Sequence, residues 1–107
     1  MSDAGSIAHE EMAATQGLPT HSVELTITNR RGLHARASAK FVQLVEGFDA
    51  EVEVSKDSQT VGGTSIMGLM MLAASPGTTI RVVARGRQAE EALTAITDLV
   101  NSKFNEE

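Results

Sequence analysis

The apolar residues of this chain arrive in two alternating periodicities, and that alternation restricts the fold more than any other feature. Val23, Leu25 and Ile27 alternate with Glu24, Thr26 and Thr28, as in a strand with one buried face. From about Ala35 to Glu46 the spacing changes to that of a helix, with Phe41, Leu44 and Val45 at i, i+3 and i+4 and a stop at Gly47; Val42 lies on the same side, and Phe48 is expected to pack back on the helix end. Period two returns over Ala50–Ser55, turns at Lys56–Gln59 and comes back over Thr60–Gly63, a return strand weakened by its glycines. A short helical stretch follows Ser65 and ends near Ala73, with a turn at Ser75–Thr78. A further strand covers Thr79–Arg85. The last helix spans about Gln88 to Phe104, with Ala89, Ala92, Leu93, Ile96, Leu99, Val100 and Phe104 on one stripe, Glu90 and Glu91 in its first turn and Lys103 in its last. The order β-α-β-β-α-β-α predicts an α+β fold: one four-stranded antiparallel sheet with three helices on one face.

The 107 residues suit one domain and a tail. Residues 1–20 mix small and polar side chains without a strand-length apolar run, and Gly17-Leu18-Pro19-Thr20 reads as a boundary, so a flexible N-terminal extension at 1–20 and a domain at 21–107 are expected; His9 reads as a solvated tail histidine. With no Trp or Tyr and three Phe, the core must be built mainly from aliphatic residues. The absence of cysteine excludes disulfides and thiolate metal sites. No secretory signal is legible, and the longest apolar-rich run, Ile66–Ala74, is too short to span a bilayer, so the expected location is the cytoplasm, with no membrane partner.

The net charge of −5 argues against nucleic-acid binding. Its distribution is more informative. Arg30, Arg31, Arg36 and Lys40 cluster around His34, and no acid occurs between positions 25 and 45. The stretch Asn29-Arg30-Arg31-Gly32-Leu33-His34-Ala35-Arg36-Ala37-Ser38 puts a histidine where a strand stops, a glycine turns the chain and a helix begins. The unpaired N–H groups of a helix start, here those of Ala35, Arg36 and Ala37, favour an anion, and Arg36 adds a planar donor fork suited to phosphate. A neutral imidazole nitrogen is a nucleophile near pH 7. Spacing alone leaves two readings open: phosphoryl chemistry at His34, or a histidine that merely caps the helix. His34 has no neighbouring acid in sequence to orient it as a base. No Ser/His/Asp set, paired carboxylates or metal-ligand spacing offers another chemistry, and neither cofactor nor metal is expected.

Gly32-Leu33-His34-Ala35-Arg36 followed by a helix, with Ser65-Ile66-Met67-Gly68-Leu69-Met70 about thirty residues on, resembles the HPr phosphocarrier family of the bacterial phosphotransferase system. The resemblance covers about residues 22–107. Ile27-Thr28-Asn29, Glu46–Val52 and the Asn101–Glu107 ending look more like the nitrogen-type branch, often called NPr. The resemblance implies an HPr-like open-faced β-sandwich. It implies that His34 takes a phosphoryl group on Nδ1 from phosphorylated enzyme I, which draws it from phosphoenolpyruvate, and passes it to a histidine of an enzyme IIA, in a regulatory nitrogen-type system. The chain would then be a monomeric carrier and not a free-standing enzyme. Arg36 would be the paired active-centre arginine, and Ser65 would match the regulatory serine that HPr kinase/phosphorylase modifies. One departure stands out: Ala37 replaces the proline that usually follows the arginine, which restores an N–H at what is expected to be a first helical position. Arg31, three residues before the histidine, adds a further positive charge.

The short helix is apolar around most of its circumference, so part of it must face outward. Ile66, Met67 and Met70 are expected to form an exposed docking patch with Lys40 and Arg31 nearby, while Leu69 and Met71 are expected to be the more buried pair. Two other readings compete with the carrier: a binding-only regulatory module controlled through Ser65, and a small metal- or ligand-binding domain that uses His34 and His21.

Overall fold

The computed structural model describes residues 20–106. The expectations for the extension, His9 included, lie outside the described residues, except that Thr20 is already the first residue of a strand. The elements follow the predicted order: β1 (Thr20–Thr26), α1 (Ala35–Val45), β2 (Glu51–Lys56), β3 (Gln59–Gly62), α2 (Ile66–Met71), β4 (Thr79–Arg85) and α3 (Ala89–Asn101), closed by a 3-10 turn at Lys103–Asn105.

The sheet runs β1-β4-β2-β3 and every pairing is antiparallel. β1 begins earlier than its apolar alternation because its backbone stays in register with β4 from Thr20↔Arg85 to Thr26↔Thr79. Inward-facing Leu25, Val52, Val54, Ile80, Val82 and Ala84 pack under the helices, which contribute Ala37, Phe41, Val42, Val45, Leu69, Ala89, Leu93, Ile96 and Val100. Phe41 and Phe104 are among the largest fully buried side chains, each gaining about 1.5–3 kcal/mol by leaving water. The opposite face, with Glu24, Thr26, Glu51, Glu53 and Arg81, is exposed, so the helices cover one face only.

Two expectations fail at helix ends. α3 stops at Asn101 and not at Phe104, so Lys103 lies outside the helix instead of complementing its last turn. Lys103, Phe104 and Asn105 have φ of 59°, 57° and 58°, a left-handed turn made without glycine. Each such residue costs roughly 1–2 kcal/mol. The turn drives Phe104 into the core, and the Lys40 ammonium donates to the Phe104 carbonyl at 2.6 Å. α2 is short, and Leu72, not Met71, joins Leu69 in the interior; Met71 is 69% exposed. Two positions along a helix rotate a side chain by about 200°, so once Leu69 points inward Met71 must point away.

The chain leaves β1 through Ile27, fully buried, whose N–H donates to Thr78 and whose carbonyl accepts from Gly77. It then turns between Asn29 and Gly32, where the Gly32 N–H donates to the Asn29 carbonyl at 3.2 Å. Gly32 has φ +65°, and a Cβ there would lie 2.2 Å from the Ala74 carbonyl oxygen. Backbone conformation and close approach therefore both require glycine. Gly32→Ala is expected to lose roughly 2–4 kcal/mol of stability, from the left-handed backbone plus overpacking, as measured by urea unfolding. A loss below about 0.5 kcal/mol would mean that the turn relaxes freely.

Candidate functional site

The turn after β1 delivers His34 to the start of α1. Leu33 anchors it from below: its side chain is buried and its N–H donates to the Ala74 carbonyl at 3.0 Å. His34 has extended backbone (φ −75°, ψ −176°) and is the N-cap of α1. Its carbonyl accepts the first helical bond, from the Ser38 N–H at 2.9 Å. Its side chain replaces the usual hydroxyl or carboxylate cap: the Arg36 N–H donates to Nδ1 at 3.3 Å. Among the described residues the N–H groups of Ala35 and Ala37 take no partner, as the geometry of a helix start dictates. Ala37 is the third residue of α1, not the first as the sequence suggested, and its methyl is buried beneath the site.

The other ring nitrogen has a partner from the far end of the chain. His34 Nε2 lies 2.6 Å from Glu106 Oε2, and the two side chains are only 18% and 15% exposed. The second carboxylate oxygen of Glu106 accepts from Asn29 Nδ2 at 3.3 Å. Burial pushes the Glu106 carboxyl up, but hydrogen bonds from His34 and Asn29 and the charges of His34 and Lys40 outweigh it and hold the carboxyl below its usual range. Because the folded chain binds this proton more weakly than the unfolded chain, the contact contributes stability above the ordinary carboxylate range. That contribution is lost as the pH falls through the lowered value.

Asn29 is completely buried. Its Nδ2 also donates to the Gly32 carbonyl at 2.8 Å, bracing the turn from inside. Its Oδ1 is buried with no partner among the described residues. An orphaned acceptor costs about 1–3 kcal/mol, and a site under selection for stability alone has no reason to keep it.

Arg30, Arg31, His34, Ala35, Arg36 and Glu106 line an open depression of about 650 Å³. Arg31 and Arg36 are exposed on its rim. Lys40, expected at a docking surface, instead points to the Phe104 carbonyl and steadies the turn that carries Glu106. Ser65 is the N-cap of α2, its Oγ accepting from the Gly68 N–H at 2.9 Å. Ile66, Met67, Met70 and Met71 are exposed, so Met71 belongs with the outward group. α2 packs against α1, and the segment that follows it meets the histidine turn at the Leu33–Ala74 bond. His21 lies near the start of β1 and His34 beyond its end, so the structure does not bring the two together; among the described residues no group of three or more potential ligands could hold a metal ion. No described helix is long and apolar enough to cross a membrane.

Local sequence carries no signal for Glu106, which is 72 positions from His34 and reaches it only through the left-handed turn. The absence of acids around His34 describes the neighbourhood in sequence and not the one in space. Asn29 entered the sequence reading only as part of the stretch that leads into the Gly32 turn, and its side-chain contacts were not legible.

The comparisons with known proteins agree with this geometry. Residues 21–102 match the family model described as the PTS HPr component phosphorylation site. The phosphocarrier protein HPr of Neisseria meningitidis serogroup A is 51% identical over 82 residues, which cover 77% of this chain and 92% of that protein. The phosphocarrier protein NPr of Shewanella violacea is 41% identical over 83 residues, covering 78% of this chain and 91% of that one. The crystal structure of HPr-C-His from Thermoanaerobacter tengcongensis superposes with a TM-score of 0.78 at 44% identity, over 81% of this chain and 98% of that chain. With its strand order, its histidine cap and these relatives, the chain belongs to the HPr phosphocarrier family of the phosphotransferase system.

Proposed function

We propose that His34 accepts a phosphoryl group on Nδ1 from phosphorylated enzyme I, ultimately from phosphoenolpyruvate, and hands it to a histidine of an enzyme IIA. The observation that carries this reading is the division of labour in the ring. Nε2 is engaged by a carboxylate, while Nδ1 meets only the Arg36 N–H of the helix start, at the longer distance of 3.3 Å, beside an open depression that His34 lines. In the first transfer the Nδ1 lone pair attacks phosphorus. The new N–P bond forms as the N–P bond to the donor histidine breaks, and its electron pair leaves with the donor ring. The phosphoryl oxygens then take over the Arg36 N–H that Nδ1 had accepted, with the Ala35 and Ala37 N–H groups and the Arg36 guanidinium as further donors. Passing the group on reverses these bonds.

A carrier must hold its cargo without trapping it. The helix terminus contributes about 0.3–1 kcal/mol per charge at an exposed site, less than the roughly 1.4 kcal/mol that changes an equilibrium tenfold. An open site whose arginines are solvent-exposed is therefore suited to transfer and not to storage. Ala37 fits this reading: it leaves an N–H where the family's usual proline has none.

The patch of Ile66, Met67 and Met70, extended by Met71, is the surface we assign to enzyme I and enzyme IIA, with Arg31 supplying charge at its side. Ser65 is assigned as the regulatory phosphorylation site for HPr kinase/phosphorylase. A phosphate on its Oγ would stay at the start of α2 and set negative charge beside the patch. The carrier works as a cytoplasmic monomer between these partners. The nitrogen-type assignment rests on the sequence segments already named, and identities of 51% to an HPr and 41% to an NPr do not strengthen it. A binding-only module controlled through Ser65 is the competing reading; it has no use for the exposed Nδ1 of His34.

Incubation with phosphoenolpyruvate and catalytic enzyme I should give an acid-labile adduct on the wild type and none on His34→Ala; an equal yield on His34→Ala sinks the carrier reading. Arg36→Ala should still accept the group, but about tenfold more slowly, the loss expected for one charged hydrogen bond.

Met67→Asp should raise the apparent KM for enzyme I by at least about tenfold, the scale of an interface hot spot, with unfolding behaviour unchanged. An unaltered KM would remove Met67 from the docking surface.

ATP and HPr kinase should leave an acid-stable adduct that Ser65→Ala lacks. An adduct that survives that substitution reassigns the site.

A further inference from the structure

We infer that Asn29 is a positioning residue which, acting through Glu106, sets the tautomer of His34 and so selects Nδ1 as the phosphoryl acceptor. The inference rests on the carrier reading and deepens it. A neutral imidazole has one N–H, so placing it on one nitrogen leaves the other as the lone-pair nucleophile. Glu106, ionised, can only accept, and its Oε2 is 2.6 Å from Nε2. The proton in that bond therefore belongs to the ring. At the other nitrogen the Arg36 N–H, which can only donate, points at Nδ1 at 3.3 Å. Both contacts demand the same state, protonated at Nε2 and bare at Nδ1. Of the two, the charged bond is much the shorter, and charge-assisted bonds are the stronger class.

The Glu106 backbone is held by the turn, through its N–H to the Lys103 carbonyl, but that bond does not aim the side chain. What holds it on the ring is Asn29. The amide is fully buried and donates one hydrogen to the Gly32 carbonyl and the other to Glu106 Oε1, at 2.8 and 3.3 Å. Both partners are acceptors, so the amide cannot be turned over without facing oxygen to oxygen at both ends. The orphaned Oδ1 is the consequence of that single allowed orientation. Gly32 is also the residue whose carbonyl accepts the His34 N–H at 2.9 Å. One buried side chain therefore ties the turn that carries the histidine to the carboxylate that orients it.

In the transfer step the arrangement removes the need for a base. Nδ1 attacks with its lone pair, the N–P bond forms, and the Nε2 proton stays where it is. The positive charge that develops on the ring faces the Glu106 carboxylate. On delivery the N–P bond breaks, its electron pair returns to Nδ1, and the ring is left in the state it started from. Asn29 touches neither the ring nor the phosphoryl group: through Gly32 it braces the backbone of the turn, and through Glu106 it acts on the tautomer.

The test uses the full-length protein labelled with 15N, with long-range proton–nitrogen spectra of the imidazole recorded at a pH where His34 is neutral. In the wild type His34 should show a pyrrole-type Nε2 and a pyridine-type Nδ1. Asn29→Ala and Glu106→Ala should each move both resonances toward a mixture of tautomers. Each should also lower kcat for phosphoryl acceptance from enzyme I about tenfold with KM unchanged. The double variant Asn29→Ala/Glu106→Ala should lose no more than Glu106→Ala alone, because the two substitutions break one pathway. Wild-type nitrogen resonances in Glu106→Ala, or additive rate losses in the double variant, overturn the inference. If Asn29→Ala does not fold, Glu106→Ala and Asn29→Asp, which sets a carboxylate acceptor against Glu106 in place of the amide donor, decide by the same spectra: a tautomer mixture in both upholds it and a wild-type tautomer in either overturns it. Failure of the carrier reading looks different, since the wild type would then take no phosphoryl group while its spectra still report the tautomer.

Discussion

Helix α1 starts on an imidazole, and the site depends on that choice of cap. A serine or aspartate would satisfy the Arg36 N–H equally well but would offer no imidazole nitrogen as a nucleophile. With histidine, the atom that caps the helix start, Nδ1, is also the one proposed to take the phosphoryl group. The bond lost if that nitrogen takes a phosphoryl group would be returned by the phosphoryl oxygens, which are better acceptors for the same N–H groups. The Arg36 N–H would thus have an acceptor before and after transfer, and α1 need not unravel for the proposed chemistry to proceed.

Two close backbone contacts hold the cap in place. Gly32 lets the turn lie against the Ala74 carbonyl, and Leu33 pins it there through its own N–H and its buried side chain. The third support comes from the C-terminus. Three left-handed residues cost roughly 3–6 kcal/mol together. Burial of Phe104 and the charged Lys40 bond return a comparable amount, about 3–6 kcal/mol. The turn is therefore close to balanced in energy, and what it adds is placement: the Glu106 carboxylate against Nε2. A segment held by so small a margin is a natural place for function to sit, since its contacts can change without unfolding the sheet.

Most of the architecture was legible because period two and period 3.6 separate cleanly in this chain. The strands at Glu51 and Thr79 and the helix at Ala35 follow from alternation and spacing. The misses have specific causes. β1 extends back to Thr20 because pairing with β4, not its own apolar pattern, defines it. Met71 was misplaced because in a helix of six residues with apolar side chains all round, periodicity cannot say which side faces the core. α3 ends early because the stripe that includes Phe104 continues through a left-handed turn that happens to deliver the same residue inward.

By itself the sequence determined the strand–helix order, the location of His34 at a helix start, the local positive charge and, with the Ser65 motif, the family. Each of these is set by residues within about one turn or one strand of each other. Only the tertiary structure shows the partner of the other ring nitrogen, because Glu106 and the Asn29 beside it are marked by no local pattern. Their meeting requires α3 to pack on the sheet, Phe104 to enter the core and the chain to fold back over Lys40. Local propensity fixes neither the distance nor the direction of such a contact, so a buried amide and a carboxylate 77 positions apart meet only when the core closes.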